Sequence, residues 1–123
     1  MFEVKILTTT HDLTARERIK LKDTTNAIKL DSALIKDGDP IVITPVDYAV
    51  IEVTTDKVDK PYKNYIVMDE SGQKFITGSN SFWESFSDIW SEMKDETEDY
   101  QIEIYKVDSK NYQGKQFITC SIL

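Results

Sequence analysis

Apolar and polar residues alternate along much of this chain with the period-two spacing of β-strands. The clearest run is 46–54, where Ala49, Ile51 and Val53 share one face and are expected to point into a core, while Tyr48 faces the other way. Further strands are predicted at residues 2–8, 41–43, 62–68, 74–77, 100–107 and 116–122. Strands are therefore expected to dominate the structure.

Residues 81–94 instead carry the spacing of one amphipathic helix. Its apolar side chains recur every three or four residues and are Phe82, Phe86, Ile89, Trp90 and Met93. A stripe of this kind is typical of a buried helix face rather than of a ligand site. Ser81 and Glu84 match the S-x-x-E capping box, so the helix is predicted to begin at Ser81.

The order of the predicted elements indicates a fold. From residue 46 onward it is β-β-β-α-β-β, which is the order of the OB-fold, a small five-stranded barrel that binds single-stranded nucleic acids and oligosaccharides. We therefore predict a mainly β protein, an OB barrel with one capping helix, to which the N-terminal residues add a strand and short helices. The first of these helices is capped by Asp12 or Thr14.

No repeat, low-complexity tract or Pro/Gly/Ser linker divides the 123 residues. They are expected to form a single domain, with 1–40 as an N-terminal extension and 41–123 as the barrel core. The chain has one cysteine and no apolar run of membrane-spanning length. A soluble, cytoplasmic protein is expected, since a lone cysteine cannot form an internal disulfide.

The formal net charge of −7 argues at first against a nucleic-acid partner. However, residues 79–99 contain seven acids and one base, and so account for −6 of that charge. The rest of the chain is nearly neutral, and its predicted barrel half carries lysines in loops and short strands. A basic face and an acidic helix can therefore coexist, although a solvated surface also explains a run of charges.

The inventory of reactive residues excludes most catalytic classes. His11 is the only histidine and Cys120 the only cysteine, so neither a zinc site nor a Cys/His nucleophile can be assembled. Nucleotide and calcium motifs are absent from the sequence. The paired acids at 95–96 and 98–99 would allow only carboxylate hydrolysis, and solvated loop acids need no such role. We expect a protein that is not an enzyme and has no cofactor, metal or catalytic residue.

Base stacking is the chemistry that the residues support, because exposed aromatic rings bind any base and nearby lysines contact the phosphates. In strand 62–68 the alternation does not decide which face is buried, since either Tyr65 and Val67 or their neighbours can point inward; Tyr65 is kept as a candidate. The candidate stacking residues are Tyr48, Tyr65, Phe75, Tyr105, Tyr112 and Phe117. The candidate phosphate contacts are Lys57, Lys60 and Lys63 in the first inter-strand loop, Lys74 in the hairpin, and Lys110 and Lys115 in the last loop. Ordinary barrel packing or a dimer interface explains each single ring equally well.

Several stretches of the chain carry a recognisable set of motifs. They are Lys63-Asn64-Tyr65, Asp69-x-x-Gly72, Phe75-x-Thr77-Gly78-Ser79-x-Ser81-Phe82 and Ser109-Lys110-Asn111-x-x-Gly114-Lys115-x-Phe117-x-Thr119-Cys120-Ser121-Ile122, with a weaker match at Leu13-Thr14-x-Arg16-Glu17-x-Ile19-Lys20-Leu21. Together these motifs resemble a family of phage-encoded single-stranded DNA-binding proteins from Gram-positive hosts. The resemblance implies an OB-fold protein that coats single-stranded DNA in phage replication and recombination, in the cytoplasm of a bacterial host. Cellular proteins of this kind end in an acidic tail that recruits partners, whereas this chain ends in a predicted strand.

Single-stranded DNA binding without sequence preference is therefore the leading expectation. The partners would be single-stranded DNA, further copies of the chain in a homo-oligomer, and replication or recombination proteins. A protein-interaction module, using the same aromatic face for a homodimer or a heterologous partner, is the alternative. An oligosaccharide-binding OB-fold is the third interpretation, and it would leave the loop lysines without a role.

Overall fold

The computed structural model describes residues 2–34, 38–57, 59–109 and 114–123. Within them the protein is mainly β, as the alternation predicted. The strands are β1 (Phe2–Thr9), β2 (Ile28–Lys29), β3 (Ile41–Ile43), β4 (Pro45–Thr55), β5 (Tyr62–Asp69), β6 (Lys74–Thr77), β7 (Ile102–Asp108) and β8 (Gln116–Ile122). The helices are α1 (Ala15–Lys22), α2 (Leu30–Ala33) and α3 (Asn80–Met93).

The chain forms two compact units, each built from two separate segments. Unit 1 comprises Met1–Lys29 and Val46–Gly78, and unit 2 comprises Leu30–Pro45 and Ser79–Leu123. Over the described residues the strands form two open sheets and no closed barrel. The prediction of a β-rich fold is confirmed, whereas the OB-fold stays a prediction. The single domain with an N-terminal extension up to residue 40 stays a prediction, and the N-terminal strand β1 belongs to the sheet of unit 1.

Unit 1 contains a five-stranded sheet in the order β1-β4-β5-β6-β2. β1 and β4 are antiparallel and so are β5 and β6, whereas β2 runs parallel to β6. The predicted inward residues Ala49, Ile51 and Val53 are all buried, together with Ile66 of β5 and Leu21 of α1. Val50, on the opposite face of β4, is buried as well, so both faces of this strand are covered near its centre.

Two local motifs of unit 1 hold these elements in place. Thr14 caps α1 through a capping box, since its hydroxyl accepts from the Glu17 amide at 3.2 Å and its own amide donates to the Glu17 carboxylate at 3.0 Å. The turn between β5 and β6 is organised by Asp69, whose Oδ1 accepts from the amides of Ser71 and Gln73. Gly72 in that turn has a φ of +88°, a conformation that favours glycine.

Unit 2 contains the antiparallel sheet β3-β7-β8 and the helix α3, which contacts β8. Its sheet residues Ile43, Ile102, Ile104, Ile118 and Cys120 are buried, as alternation within each strand requires. On the helix, Phe82 and Phe86 are fully buried and their rings stack with centroids 5.8 Å apart. The predicted apolar stripe of the helix therefore supplies core residues.

The predicted N-cap of this helix was wrong by two residues. Ser79, not Ser81, is the N-cap, and its hydroxyl accepts from the Phe82 amide at 3.2 Å. The Ser81 hydroxyl donates instead to the Ile118 carbonyl at 2.9 Å. The S-x-x-E pattern therefore misassigned the cap, because it carries no information about the bond between Ser81 and β8.

None of the helices among the described residues is long and apolar enough to cross a membrane.

Candidate functional site

The antiparallel pair β7 and β8 presents the two predicted rings of unit 2 on one face. Tyr105 lies opposite Thr119, and Val107 lies opposite Phe117. Residues that are opposite each other across a ladder point to the same side of the sheet. Phe117 is 38% exposed and Tyr105 is half-buried, as the expectation for outward rings required.

The same register defines the rest of this surface, which we call the aromatic face. It consists of Val42, Glu103, Tyr105, Val107, Phe117, Thr119 and Ser121. The alternate residues of β7 and β8 point the other way, and the central ones, Ile102, Ile104, Ile118 and Cys120, are buried. Val42 on the neighbouring strand β3 is 46% exposed. The aromatic face is therefore an amphipathic surface backed by a solid apolar core.

Hydrogen bonds restrict the side chains of the aromatic face. The Tyr105 hydroxyl lies 2.7 Å from the Ser121 hydroxyl. Ser121 is the diagonal neighbour of Tyr105 across the ladder, so the bond directs the ring along the sheet. The hydroxyls of Thr119 and Ser85 lie 2.9 Å apart, which places α3 beside this face. A ring held in this way loses little conformational entropy when a flat ligand binds to it.

The predicted phosphate contacts of unit 2 lie at the β7–β8 loop. Lys115 is exposed two residues before Phe117. Its carbonyl accepts from the Ser109 amide at 2.9 Å, which closes the base of the loop. Lys110 and Tyr112, which were predicted to contact phosphate and base, lie outside the described residues.

The predicted lysines of unit 1 are exposed where β4 leads into β5. Lys57 and Lys60 lie in the connecting loop, and Lys63 is near the start of β5. Tyr62 lies between them along the chain and is 43% exposed. Tyr62 is not among the candidate stacking residues, and its exposure places a further ring at this loop.

Two of the rings predicted to stack on bases are buried. Tyr65 is 6% exposed and Phe75 is 5% exposed, so the prediction of an outward Phe75 was wrong. Both faces of β5 point inward, because the consecutive residues Tyr65, Ile66 and Val67 are all buried. A strand covered on both faces reads as a continuous apolar run, and its phase cannot then be inferred from alternation.

Lys74 was predicted to contact phosphate, and the structure shows it bound within the protein. Its ammonium donates to the carbonyls of Lys20 and Asp23, at 2.5 and 2.8 Å. These carbonyls lie at the C-terminal end of α1, where the helix leaves acceptors without backbone donors. In this structure Lys74 caps a helix, and backbone carbonyls engage two of the three donors of its ammonium.

Tyr48, which was predicted to face outward, is half-buried and lines a cavity of unit 1. The cavity has a volume of about 520 Å³, within the range of small-molecule sites. Apolar residues such as Leu13, Ile66 and Met68 form part of its wall, and His11 and Asp47 supply polar groups. Sequence reasoning did not find this cavity, because its residues come from distant segments of the chain.

His11 lies between two carboxylates at this cavity. Its Nε2 is 3.3 Å from Glu17 Oε2, and its Nδ1 is 3.4 Å from Asp47 Oδ1. These contacts raise the pKa of His11 above 6.5, chiefly through the hydrogen bond with Glu17 and then through the charge of Asp47. The pKa of Glu17 is lowered, first by the Thr14 amide and then by His11.

The groups around His11 interact chiefly with one another. The Thr10 hydroxyl donates to Asp47 at 2.6 Å and not to the imidazole, so this is not the geometry of a hydroxyl activated by a base. Among the described residues, no three His, Cys, Asp or Glu side chains are grouped to hold a metal ion. The contacts therefore explain how the segment before α1 is joined to β4.

No protein-family model, curated protein or solved structure matches this chain.

Proposed function

We propose that this protein binds single-stranded DNA without sequence preference, with bases stacked on the aromatic face and phosphates contacted by nearby lysines. The observation that carries the proposal is the exposed Phe117 ring on the same sheet face as Tyr105, with Ile104, Ile118 and Cys120 buried on the opposite side. Rings on a rigid sheet can accept any base, because every base has a π-face. The surface therefore suits sequence-tolerant binding.

The charges in unit 2 support a local electrostatic contribution. Lys115 is exposed near Phe117, whereas the exposed acids at 95–99 lie in the connection between α3 and β7. In unit 1 the exposed Lys57, Lys60 and Lys63 would form a second set of contacts beside Tyr62. Few phosphates would be neutralised in this way, so the salt dependence of binding should be real but modest.

The resemblance to phage single-stranded DNA-binding proteins gives this activity a context. On this proposal the protein coats single-stranded DNA during phage replication or recombination, in the cytoplasm of a bacterial host. The OB-fold and the homo-oligomer implied by that family belong to the same proposal. Catalysis forms no part of it.

The test is fluorescence anisotropy of a labelled oligo(dT) of about 30 nucleotides, titrated with the full chain at low and moderate salt. We expect saturable binding that weakens as salt rises. Phe117→Ala should weaken it about 5- to 150-fold, since one stacked base contributes about 1–3 kcal/mol. Ile122→Ala is the matched control, because Ile122 lies on the same strand, 46% exposed, on the other face.

Charge is tested in the same assay. Lys115→Glu should weaken binding and reduce its salt dependence, whereas Lys94→Glu, which makes the same charge change at the end of α3, should not. If the wild-type chain does not bind, or if Phe117→Ala binds as tightly as Ile122→Ala, the proposal is wrong. Oligo(rU) and duplex DNA of equal length measure the preference for single strands and for DNA.

A protein-interaction module is the second candidate, and the exposed Val42 favours it. An aliphatic side chain at the edge of the aromatic face contributes to an apolar protein interface but not to base stacking. Such an interface should hold or tighten as salt rises, whereas DNA binding should weaken. Binding of a protein that survives high salt and is lost in Val42→Asp would identify this function.

A further inference from the structure

Strand β1 is an edge of the unit 1 sheet. It pairs with β4 on one side and with no strand of the described residues on the other. The register shifts between Ile6 and Thr8, so the regular part of the strand is 2–6. The backbone groups along this outer edge are a template for one more strand.

The sequence of this segment is self-complementary in charge. If two copies of 2–6 run antiparallel with Val4 opposite Val4, each Glu3 lies opposite a Lys5 of the other copy. Both residues are exposed, while Val4 is half-buried against the core cluster. The pairing would therefore join opposite charges on one face and extend the apolar layer on the other.

The residues of β4 that lie opposite Glu3 and Lys5 support the same register. Lys5 lies opposite Glu52 of β4, and Glu3 lies opposite the uncharged Thr54. In a symmetric pair, the charges would alternate from Glu52 to Lys5 and then to Glu3 of the second copy. A lysine on an edge opposes pairing with an arbitrary strand, whereas here a second copy supplies its counter-charge.

We propose that the outer edge of β1 is a homodimer interface, at which two copies pair antiparallel about Val4 through two Glu3–Lys5 contacts. The interface is isologous, since the same segment contributes both sides around a two-fold axis. The proposal rests on the homo-oligomer of the proposed function and names its interface. Because the interface lies in unit 1 and requires no nucleic acid, its test can fail without the DNA-binding test failing.

Sedimentation of the full chain without DNA, over protein concentrations into the millimolar range, tests the proposal. The wild type should show a monomer–dimer equilibrium. Glu3→Lys and Lys5→Glu should each raise the dimer dissociation constant about tenfold or more, because two attractive pairs become repulsive. Glu70→Lys and Lys94→Glu make the same charge changes elsewhere on the exposed surface, and should dimerise like the wild type.

The decisive experiment mixes the two single variants. Equal amounts of Glu3→Lys and Lys5→Glu should form a heterodimer, since each charged residue then meets its opposite. The double variant should dimerise again by itself. A monomeric wild type, single variants that dimerise normally, or a mixture that does not associate would each overturn the proposal.

A folding control separates assembly from stability. Lys5→Glu places two acids opposite each other within one chain, at residues 5 and 52, so its fold is checked by circular dichroism. Glu3→Lys faces Thr54 and creates no such clash. If Lys5→Glu does not fold, the proposal is judged on Glu3→Lys alone, which must dimerise less than Glu70→Lys.

Discussion

Replacing Lys74 by methionine distinguishes its two interpretations, a phosphate contact and a helix cap. Methionine keeps much of the apolar side chain and removes the ammonium. In the structure that ammonium donates to the carbonyls of Lys20 and Asp23 at the end of α1. We therefore expect Lys74→Met to lower the free energy of unfolding and to leave DNA binding close to that of the wild type.

The magnitude follows from the two hydrogen bonds and their exposure. A hydrogen bond to a charged group contributes about 1.5–3 kcal/mol when protected. A cation at an exposed helix C-terminus contributes about 0.3–1 kcal/mol. Both contacts are solvent-exposed, so water can replace the ammonium, and we expect a total loss of about 1–2 kcal/mol. That loss corresponds to about 3–8 °C in Tm for a chain of this length.

The assay is urea unfolding followed by circular dichroism, beside the anisotropy titration with oligo(dT). Lys63→Met is the matched control, because Lys63 is an exposed lysine on β5, the strand that pairs with β6. It should weaken DNA binding and leave stability nearly unchanged. If Lys74→Met instead unfolds at the wild-type urea concentration and binds DNA weakly, our account of Lys74 as a helix cap is refuted.

Two further predictions concern titratable groups. In an NMR titration, the pKa of His11 should lie above 6.5 and fall in Glu17→Gln, since the main cause of the rise is removed; a value at or below 6.5 in the wild type would contradict the geometry. The raised pKa of His11 stabilises the fold fully below pH 6.5, and this effect is lost as pH rises through that pKa. The lowered pKa of Glu17 stabilises the fold above pH 4.5, and this effect is lost as pH falls. The stability difference between wild type and His11→Ala should therefore be largest between pH 4.5 and pH 6.5. Burial raises the pKa of Cys120 to about 12, so iodoacetamide at pH 8 should label this thiol slowly in the native protein and rapidly in urea. Rapid labelling of the native protein would show that Cys120 is accessible.

The positions of most strands could be predicted from alternation alone. In β4, Ala49, Ile51 and Val53 are buried because a strand turns every second side chain to the same face. The β5–β6 hairpin was also predictable, since its turn has an Asp that accepts from two amides and a Gly at positive φ. These features are local, and the sequence contains all the information that they require.

The candidate site was predictable only in part. The shared face of Tyr105 and Phe117 followed from the phase of β7 and β8. The burial of Tyr65 and Phe75 did not follow, because the phase of a strand does not say whether its second face is also covered. Exposure of a ring is a property of the folded chain.

Hydrogen bonds between distant segments explain the other differences. Lys74 is bound to the end of α1 some fifty residues away along the chain, and Ser81 is bound to the Ile118 carbonyl. Both residues have side chains that suit the roles assigned from sequence, a cation for phosphate and a hydroxyl for a cap. Which acceptor each one meets depends on strand pairing and helix placement.

The amino-acid pattern alone indicated a mainly β protein and the positions of most of its strands and of its long helix. These properties depend on side-chain spacing and on local turn chemistry. Three features became visible in the folded chain alone: β1 joins β4 at the edge of one sheet, His11 contacts Glu17 and Asp47, and only some of the rings remain exposed. The physical reason is that apolar burial is non-directional, so a periodic pattern identifies the face that is buried but not the segment that buries it.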